Sequence, residues 1–253
     1  MELGEVRAIV TGGARGLGLC FATELARAGA KVAVGDLDEQ GLRQLVSDAE
    51  RFGAKVTALK LDVTQEGSVS EFVHRTAEEF EGINLLVNNA GVLRDGVIAQ
   101  PADGWIKKLP TAQWKQVLDV NLTGPFFMTR EVLTEIFKRE TSPAVIVNIS
   151  SVTRAGNPGQ SNYSASKAGL DALTRTWALE LARFGIRVGG IAPGVINTPI
   201  LEGISEDAMK HLLTLIPLGR IGKPHEIWLA LKFIVECDFF TGRTIDVDGG
   251  SMF

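Results

Sequence analysis

Val6-Arg7-Ala8-Ile9-Val10-Thr11-Gly12-Gly13-Ala14-Arg15-Gly16-Leu17-Gly18 is the stretch on which the fold turns. Residues 6–11 form a short apolar run of strand character that breaks into glycines. Helical periodicity then follows through Phe21, Leu25 and Ala26 and ends at Gly29. A strand, a glycine-rich turn and a helix, in that order, make a phosphate site. The glycines let the backbone approach a pyrophosphate, and the helix N-terminus offers free N–H groups and the positive end of its dipole. The spacing T-G-x-x-x-G-x-G is not the G-x-G-x-x-G of the usual dinucleotide fingerprint. Context therefore carries the reading, and a tight turn without a ligand is its competitor.

Residues 31–35 read as the second strand, and Asp36 follows it with Leu37 beside it. Asp36 lies eighteen residues beyond Gly18. An acid at that distance is placed to accept from the 2′- and 3′-hydroxyls of an adenosine ribose, and it repels a 2′-phosphate. The pattern favours NAD(H), with NADP(H) as the alternative. Arg15, inside the turn, could meet a 2′-phosphate from the other side. Asp36 outweighs it, because a carboxylate held next to a dianionic phosphate is costly.

The alternation continues with a helix over 38–52, a strand over 56–61 ending in Asp62-Val63, and a helix over 68–80. A strand over 85–87 then ends in Asn88-Asn89-Ala90-Gly91. Small and polar residues at the C-terminal ends of strands mark the ligand edge of a parallel sheet. Residues 92–110, with two prolines and two glycines, are a loop or small hairpin. Thr111 is the expected N-cap of a helix running past Asn121 to about residue 138, bent at Gly124-Pro125. Strands over 145–149, 186–191 and 244–247 and a helix over 225–235 complete the pattern. Ala192-Pro193-Gly194 stops the sixth strand, and Asn197-Thr198-Pro199 opens an irregular section. No linker, repeat or low-complexity tract interrupts residues 1–253. The expectation is one α/β domain, a doubly wound parallel sheet of about seven strands flanked by helices.

Tyr163, the only tyrosine, stands four places before Lys167. On a helix those positions share a face, so phenol and ammonium reach the same space. An ammonium beside a phenol lowers a pKa that starts near ~10 and makes an acid/base group usable near neutrality. Ser150, thirteen residues before Tyr163 at the end of the apolar strand, is a plausible partner for a substrate oxygen.

The 253 residues are 45% hydrophobic and 22% charged, with a formal net charge of −4. That balance, with no Lys/Arg cluster, argues against a nucleic-acid partner. Cys20 and Cys237 read as reduced core residues, and His74, His211 and His225 lack metal-ligand spacing, so no metal is expected. The N-terminus has no basic and apolar segments of a signal peptide, and no apolar run is long enough to span a membrane. The expected location is cytoplasmic, without membrane association.

Thr11-Gly12, Gly16, Gly18, Asp62-Val63, Asn88-Asn89-Ala90-Gly91, Asn121, Ser150, Tyr163, Lys167 and Pro193-Gly194 occur in this order. Together they resemble the short-chain dehydrogenase/reductase family over nearly the whole chain. The resemblance implies a Rossmann-type fold and an oxidoreductase acting on a secondary alcohol or ketone. It implies Tyr163 as general acid/base, Ser150 holding the substrate oxygen, and Lys167 tuning the tyrosine and binding the nicotinamide ribose. Asn121 would hold a water linking Lys167 to solvent, with Ser151 structural. Cofactor contacts are implied at Gly12, Arg15, Gly16, Leu17, Gly18, Asp36, Leu37, Asp62, Val63, Asn89, Ala90 and Gly91, besides Tyr163 and Lys167. Pro193, Gly194, Ile196 and Thr198 complete the set, the last two at the carboxamide.

Within the family, Leu93-Arg94-Asp95 and Gly156-Asn157-Pro158-Gly159-Gln160-Ser161-Asn162 look like the 3-oxoacyl-thioester reductase branch. That branch commonly uses NADPH and lacks an acid at the Asp36 position. The chain also carries a loop insertion at 99–110, and residues 199–216 are expected to cover the substrate. Positions that dock acyl carrier protein in the branch fall on Thr141 and Phe184, with Arg139 and Arg183 only nearby. These departures make the carrier protein a doubtful partner and leave three readings. The leading one is an NAD(H)-dependent oxidoreductase on a small-molecule alcohol or ketone, with a 3-hydroxyacyl or 3-oxoacyl thioester as candidate. The others are an NADPH-dependent 3-oxoacyl-carrier-protein reductase and a non-catalytic dinucleotide sensor. The family resemblance further implies a homotetramer, for which Trp177, Phe239, Phe240 and Phe253 are candidate contacts.

Overall fold

A computed structural model describes residues 1–201 and 205–251. Seven strands form one parallel sheet: β1 (Arg7–Thr11), β2 (Lys31–Asp36), β3 (Val56–Lys60), β4 (Leu85–Asn88), β7 (Ala144–Ile149), β8 (Ile186–Pro193) and β9 (Thr244–Val247). Their order is β3-β2-β1-β4-β7-β8-β9. The order reverses between β1 and β4, which opens the crevice where such sheets take ligands. β5 (Ala99–Ala102) and β6 (Trp105–Lys108) pair separately as an antiparallel hairpin.

The helices α1 (Gly16–Arg27), α2 (Glu39–Arg51), α3 (Glu66–Phe80), α4 (Thr111–Leu118), α5 (Gly124–Lys138), α6 (Ser161–Leu181), α7 (Glu206–Thr214) and α8 (Pro224–Glu236) complete the chain. The central strands are buried on both faces, as their near-continuous Val/Ile/Leu runs require. One layer of core joins Val10, Phe21, Leu25, Leu45 and Val147 to Leu231. The other joins Ile9, Phe72, Leu86, Met128, Ile146 and Val188.

Four expectations need correction. Thr111 is the first helical residue and Pro110 the N-cap, since Pro110 holds extended backbone at −64°, 134°. The helix expected over 111–138 is interrupted by a π-helical turn at Asp119–Thr123, directly before Pro125 in the first turn of α5. β8 continues through Pro193, because the N–H groups that face β9 there are those of Gly190 and Gly194, and on the other side β7 has ended at Ile149, opposite Ile191. The irregular section contains α7, capped by Ser205 accepting from the Ala208 N–H. Residues 202–204 of the expected covering segment, and Phe253, lie outside the described residues. Trp177 packs in the core at 8% exposure, whereas Phe239 is fully exposed. Cys20 and Cys237 are free thiols, each half-buried rather than core.

A polar ladder crosses this apolar interior. Asn88 donates to Asn148 Oδ1 at 2.9 Å and Thr129 Oγ1 at 3.1 Å, and Asn148 donates to Thr174 Oγ1 at 2.9 Å. It fixes β4 and β7 against α5 and α6. Replacing Asn148 with Ala takes one of two acceptors from the Asn88 amide, removes the donor to Thr174 and leaves a void, which should cost about 2–4 kcal/mol. Urea unfolding should show a lower midpoint at unchanged slope; a loss below about 0.5 kcal/mol would contradict the ladder's role.

Candidate active site

Because every strand of the large sheet is parallel, the C-terminal ends of β1, β2, β3, β4, β7 and β8 share one edge. Thr11, Asp36, Asp62, Asn89, Ser150 and Gly194 stand at or just beyond those ends, so topology alone gathers residues from six parts of the sequence.

At β1 the turn is held in shape by Thr11. Its hydroxyl accepts from the Asn89 and Ala90 N–H groups, each at 3.0 Å, and the Asn89 amide donates to the Thr11 and Gly12 carbonyls at 2.9 Å. The sequence reading used Asn89 only as a cofactor contact. Here it stitches two strand ends together.

Gly12 has φ +64°, and a Cβ there would stand 2.7 Å from Ala90 Cα. A Cβ on Gly18 would strike the Gly12 carbonyl, and one on Gly16 would reach Thr198 at 3.7 Å. Gly12 and Gly18 thus have no room for a side chain, Gly16 is held to glycine by its φ of +59°, and the three form a cradle. α1 begins at Gly16 with no side chain capping it; Arg15, at the N-cap, is exposed. The first-turn N–H groups, beginning with Gly16 and Leu17, thus remain for an anion. The glycine cradle and uncapped terminus fit a dinucleotide pyrophosphate.

Asp36 ends β2 with both oxygens on backbone: Oδ2 accepts from Ala14 N at 3.0 Å and Oδ1 from Asp38 N at 3.0 Å. The carboxylate is thereby pinned beside the glycine turn, with Leu37 next to it exposed. Asp62 accepts from the Thr64 N–H and hydroxyl, and Val63 packs on Gly124. Ile196 is buried, and its backbone bridges to Gly222. Thr198 lies across from Gly16 and borders an open groove that includes Leu201, Met209 and Ile221.

At the centre, Lys167 is buried and its ammonium donates to the Ile149 carbonyl at 2.7 Å. The same ammonium lies 5.6 Å from the centroid of the Tyr163 ring. Burial lowers the lysine pKa to about 8. Tyr163 moves the other way, to about 12: desolvation raises it, Ser151 lowers it through a hydrogen bond, and the Asp95 charge raises it. The expectation that Lys167 depresses the tyrosine is therefore not met in the free protein. The ammonium is engaged by the Ile149 carbonyl, and loss of water around the phenol dominates.

The two serines are placed differently from expectation. Ser150 turns its hydroxyl to the Lys167 carbonyl at 3.3 Å, away from the phenol. Ser151 begins the short 3-10 turn Val152–Ala155, contacts Thr153 Oγ1 at 3.0 Å and faces Tyr163. Counting thirteen residues back from Tyr163 selects Ser150; the tight turn after Ser151 brings the following serine into place instead.

Asn121 sits fully buried in the π-helical turn. Its side chain accepts from Val92 N at 2.8 Å and donates to Val92 O at 3.0 Å and Ser166 Oγ at 3.2 Å. Ser166 in turn donates to the Tyr163 carbonyl at 2.7 Å. The asparagine thus fixes the chain after Gly91 against α6. Asn162 and Ser166 carried no signal beyond adjacency to the Tyr163–Lys167 pair.

Comparison with known proteins agrees with this geometry. The profile of the short chain dehydrogenase family matches residues 6–209. The 3-oxoacyl-[acyl-carrier-protein] reductase FabG of Thermotoga maritima is 40% identical over 96% of this chain and 96% of its own. The (2S)-[(R)-hydroxy(phenyl)methyl]succinyl-CoA dehydrogenase subunit BbsD of Thauera aromatica is 36% identical over 96% and 95%. A solved putative gluconate dehydrogenase from Agrobacterium tumefaciens superposes with a TM-score of 0.90 at 32% identity, covering 98% of this chain and 96% of the other. With its parallel sheet, glycine cradle and Tyr163–Lys167 pair, the chain belongs to the short-chain dehydrogenase/reductase family, as an oxidoreductase that acts on CH–OH groups with a nicotinamide cofactor.

Proposed function

We propose that the enzyme interconverts a 3-hydroxyacyl and a 3-oxoacyl thioester with NAD(H), Tyr163 serving as the proton-transfer group. The observation that carries the cofactor choice is Asp36, whose carboxylate is locked by two backbone N–H groups beside the glycine turn. It cannot swing away from a 2′-phosphate, so a phosphorylated cofactor meets a fixed negative charge. The thioester rests on the names of the Thermotoga and Thauera relatives, which act on carrier-protein and coenzyme A esters respectively.

The nicotinamide, when bound, supplies hydride donation and acceptance. Everything else falls to the chain. With its pKa near 12, the Tyr163 phenol holds its proton at neutral pH and is set to give it to a carbonyl oxygen. The Ser151 hydroxyl, facing the phenol, steadies the same oxygen as charge develops on it. Lys167, an ammonium below about pH 8, ties α6 to the end of β7 through Ile149 and presents its charge beneath the tyrosine ring. Asn121 and Ser166 hold Gly91 and Tyr163 in register.

A second reading, an NADPH-dependent 3-oxoacyl-carrier-protein reductase, is favoured by Arg15, which stands exposed at the N-cap of α1. Initial rates with a short 3-oxoacyl thioester at equal NADH and NADPH separate the two. NADH should be preferred, and Asp36→Ala should shift the preference toward NADPH by about tenfold or more. An NADPH preference in the unaltered enzyme would contradict the Asp36 reading.

The serine assignment has its own test. Ser151→Ala should lower kcat by about a hundredfold, while Ser150→Ala, losing only a bond to the Lys167 carbonyl, should stay within about fivefold. The opposite ranking would return the role to Ser150.

A further inference from the structure

The Ser151 hydroxyl has a neighbour that the chemistry above does not use. Thr153 is buried, and its Oγ1 lies 3.0 Å from Ser151 Oγ, where either oxygen could donate. Its backbone N–H also donates to Ser151 Oγ, at 3.2 Å. Among the described residues the Thr153 hydroxyl has no other hydrogen-bond partner. Ser150 differs, because its hydroxyl is spent on the Lys167 carbonyl at 3.3 Å.

A hydroxyl carries one proton and two lone pairs. Ser151 and Thr153 share a single bond between their hydroxyls, so one of the two protons is left over. If Ser151 donated, the leftover proton would be the threonine's, buried and without an acceptor, which is costly. If Thr153 donates, the leftover proton is the serine's, and Tyr163 faces it. The second arrangement avoids the cost. The Thr153 N–H and O–H then fill both lone pairs of Ser151 Oγ, whose one remaining capacity is to donate. The hydrogen bond from Ser151 lowers the Tyr163 pKa, the direction expected when the serine gives its proton toward the phenol oxygen.

The turn that carries both hydroxyls is clamped. The Arg154 N–H donates to the Ser151 carbonyl at 3.1 Å, and the Gly156 N–H to the Thr153 carbonyl at 2.9 Å. The Arg154 guanidinium grips Asp246 of β9 with two hydrogen bonds, at 2.7 and 3.1 Å, and meets Asp171 of α6 at 3.0 Å. A guanidinium fork on a carboxylate fixes orientation as well as distance. The turn is therefore held to the sheet and to the helix of Tyr163 at once.

We propose that Thr153 is a positioning residue for the reaction: its hydroxyl donates to Ser151 Oγ and so reserves the serine's proton for the substrate oxygen. This rests on the Ser151 reading above. A donor already aimed at the oxygen on which charge develops needs no reorientation. Without the Thr153 hydroxyl, Ser151 keeps its place but regains a free lone pair and a proton that turns.

The test measures kcat and KM for a short 3-oxoacyl thioester, or another ketone the enzyme reduces, in the unaltered and the Ser151→Ala backgrounds. Thr153→Val removes the hydroxyl at nearly constant shape, Thr153→Ser keeps it, and urea midpoints report folding. In the unaltered background Thr153→Val should lower kcat about tenfold with KM within about twofold, and Thr153→Ser should stay within about threefold. In the Ser151→Ala background Thr153→Val should add less than about twofold, because the group it serves is gone. With Ser151→Ala showing its expected loss, a similar effect of Thr153→Val in both backgrounds, or none in either, overturns the proposal and leaves the Ser151 reading standing. Full rate in Ser151→Ala overturns the Ser151 reading and the proposal together. Should Thr153→Val unfold, Thr153→Ala carries the same comparison.

Discussion

A parallel sheet allows no choice about where its chemistry goes. Every strand of the seven runs the same way, so every strand end that can face a ligand faces the same crevice. The order reversal between β1 and β4 then decides where that crevice opens. What remains is to hold the strand ends in register, and the molecule does this with polar side chains inside an apolar body. Thr11 and Asn89 join β1 to β4 beneath the glycine turn, and Asn88, Asn148, Thr129 and Thr174 join β4 to β7 and to the helices behind them. Buried amides are costly when unpartnered and specific when partnered, which suits a site whose parts come from distant segments.

Desolvation sets the electrostatics of the centre. Lys167 loses most of its hydration, and its pKa falls to about 8, yet near neutrality it stays an ammonium that donates a hydrogen bond to the Ile149 carbonyl. The same burial stabilises the neutral phenol of Tyr163. The pair therefore rests as ammonium and phenol, with the proton already on the group that a ketone oxygen would meet. Ser151 partly offsets the effect of burial on the phenol, and Asp95, tied to Gln160, adds to it. The loop that leads to the hairpin thereby shares a charge environment with the Tyr163 hydroxyl.

Much of the fold was legible because its determinants are local and periodic. The apolar runs of β1, β4 and β7, the glycine turn and the Asp36 spacing each announce themselves within a few residues. α7 was missed because its apolar periodicity is short and follows the prolines at 193 and 199. The π-helical turn leaves no signature distinct from a helix; only the backbone shows it to be where Asn121 gains its two bonds to Val92. The placement of the two serines was hidden for a related reason. Counting along the sequence assumes a constant path, and the 3-10 turn after Ser151 changes which hydroxyl arrives beside Tyr163. The tyrosine's pKa was misjudged because i,i+4 spacing predicts proximity but says nothing of a competing carbonyl.

The claim on which all of this converges is that the Tyr163 hydroxyl, and no other group, exchanges the proton with substrate oxygen. Tyr163→Phe removes one oxygen atom from a half-buried ring and leaves Asn162, Ser166 and Lys167 their present backbone partners. The measurement is kcat for 3-oxoacyl thioester reduction in this variant, alongside its urea midpoint. The account predicts a fall of about a hundred- to ten-thousandfold with the midpoint nearly unchanged. Retention of most of the rate by a folded variant would contradict it.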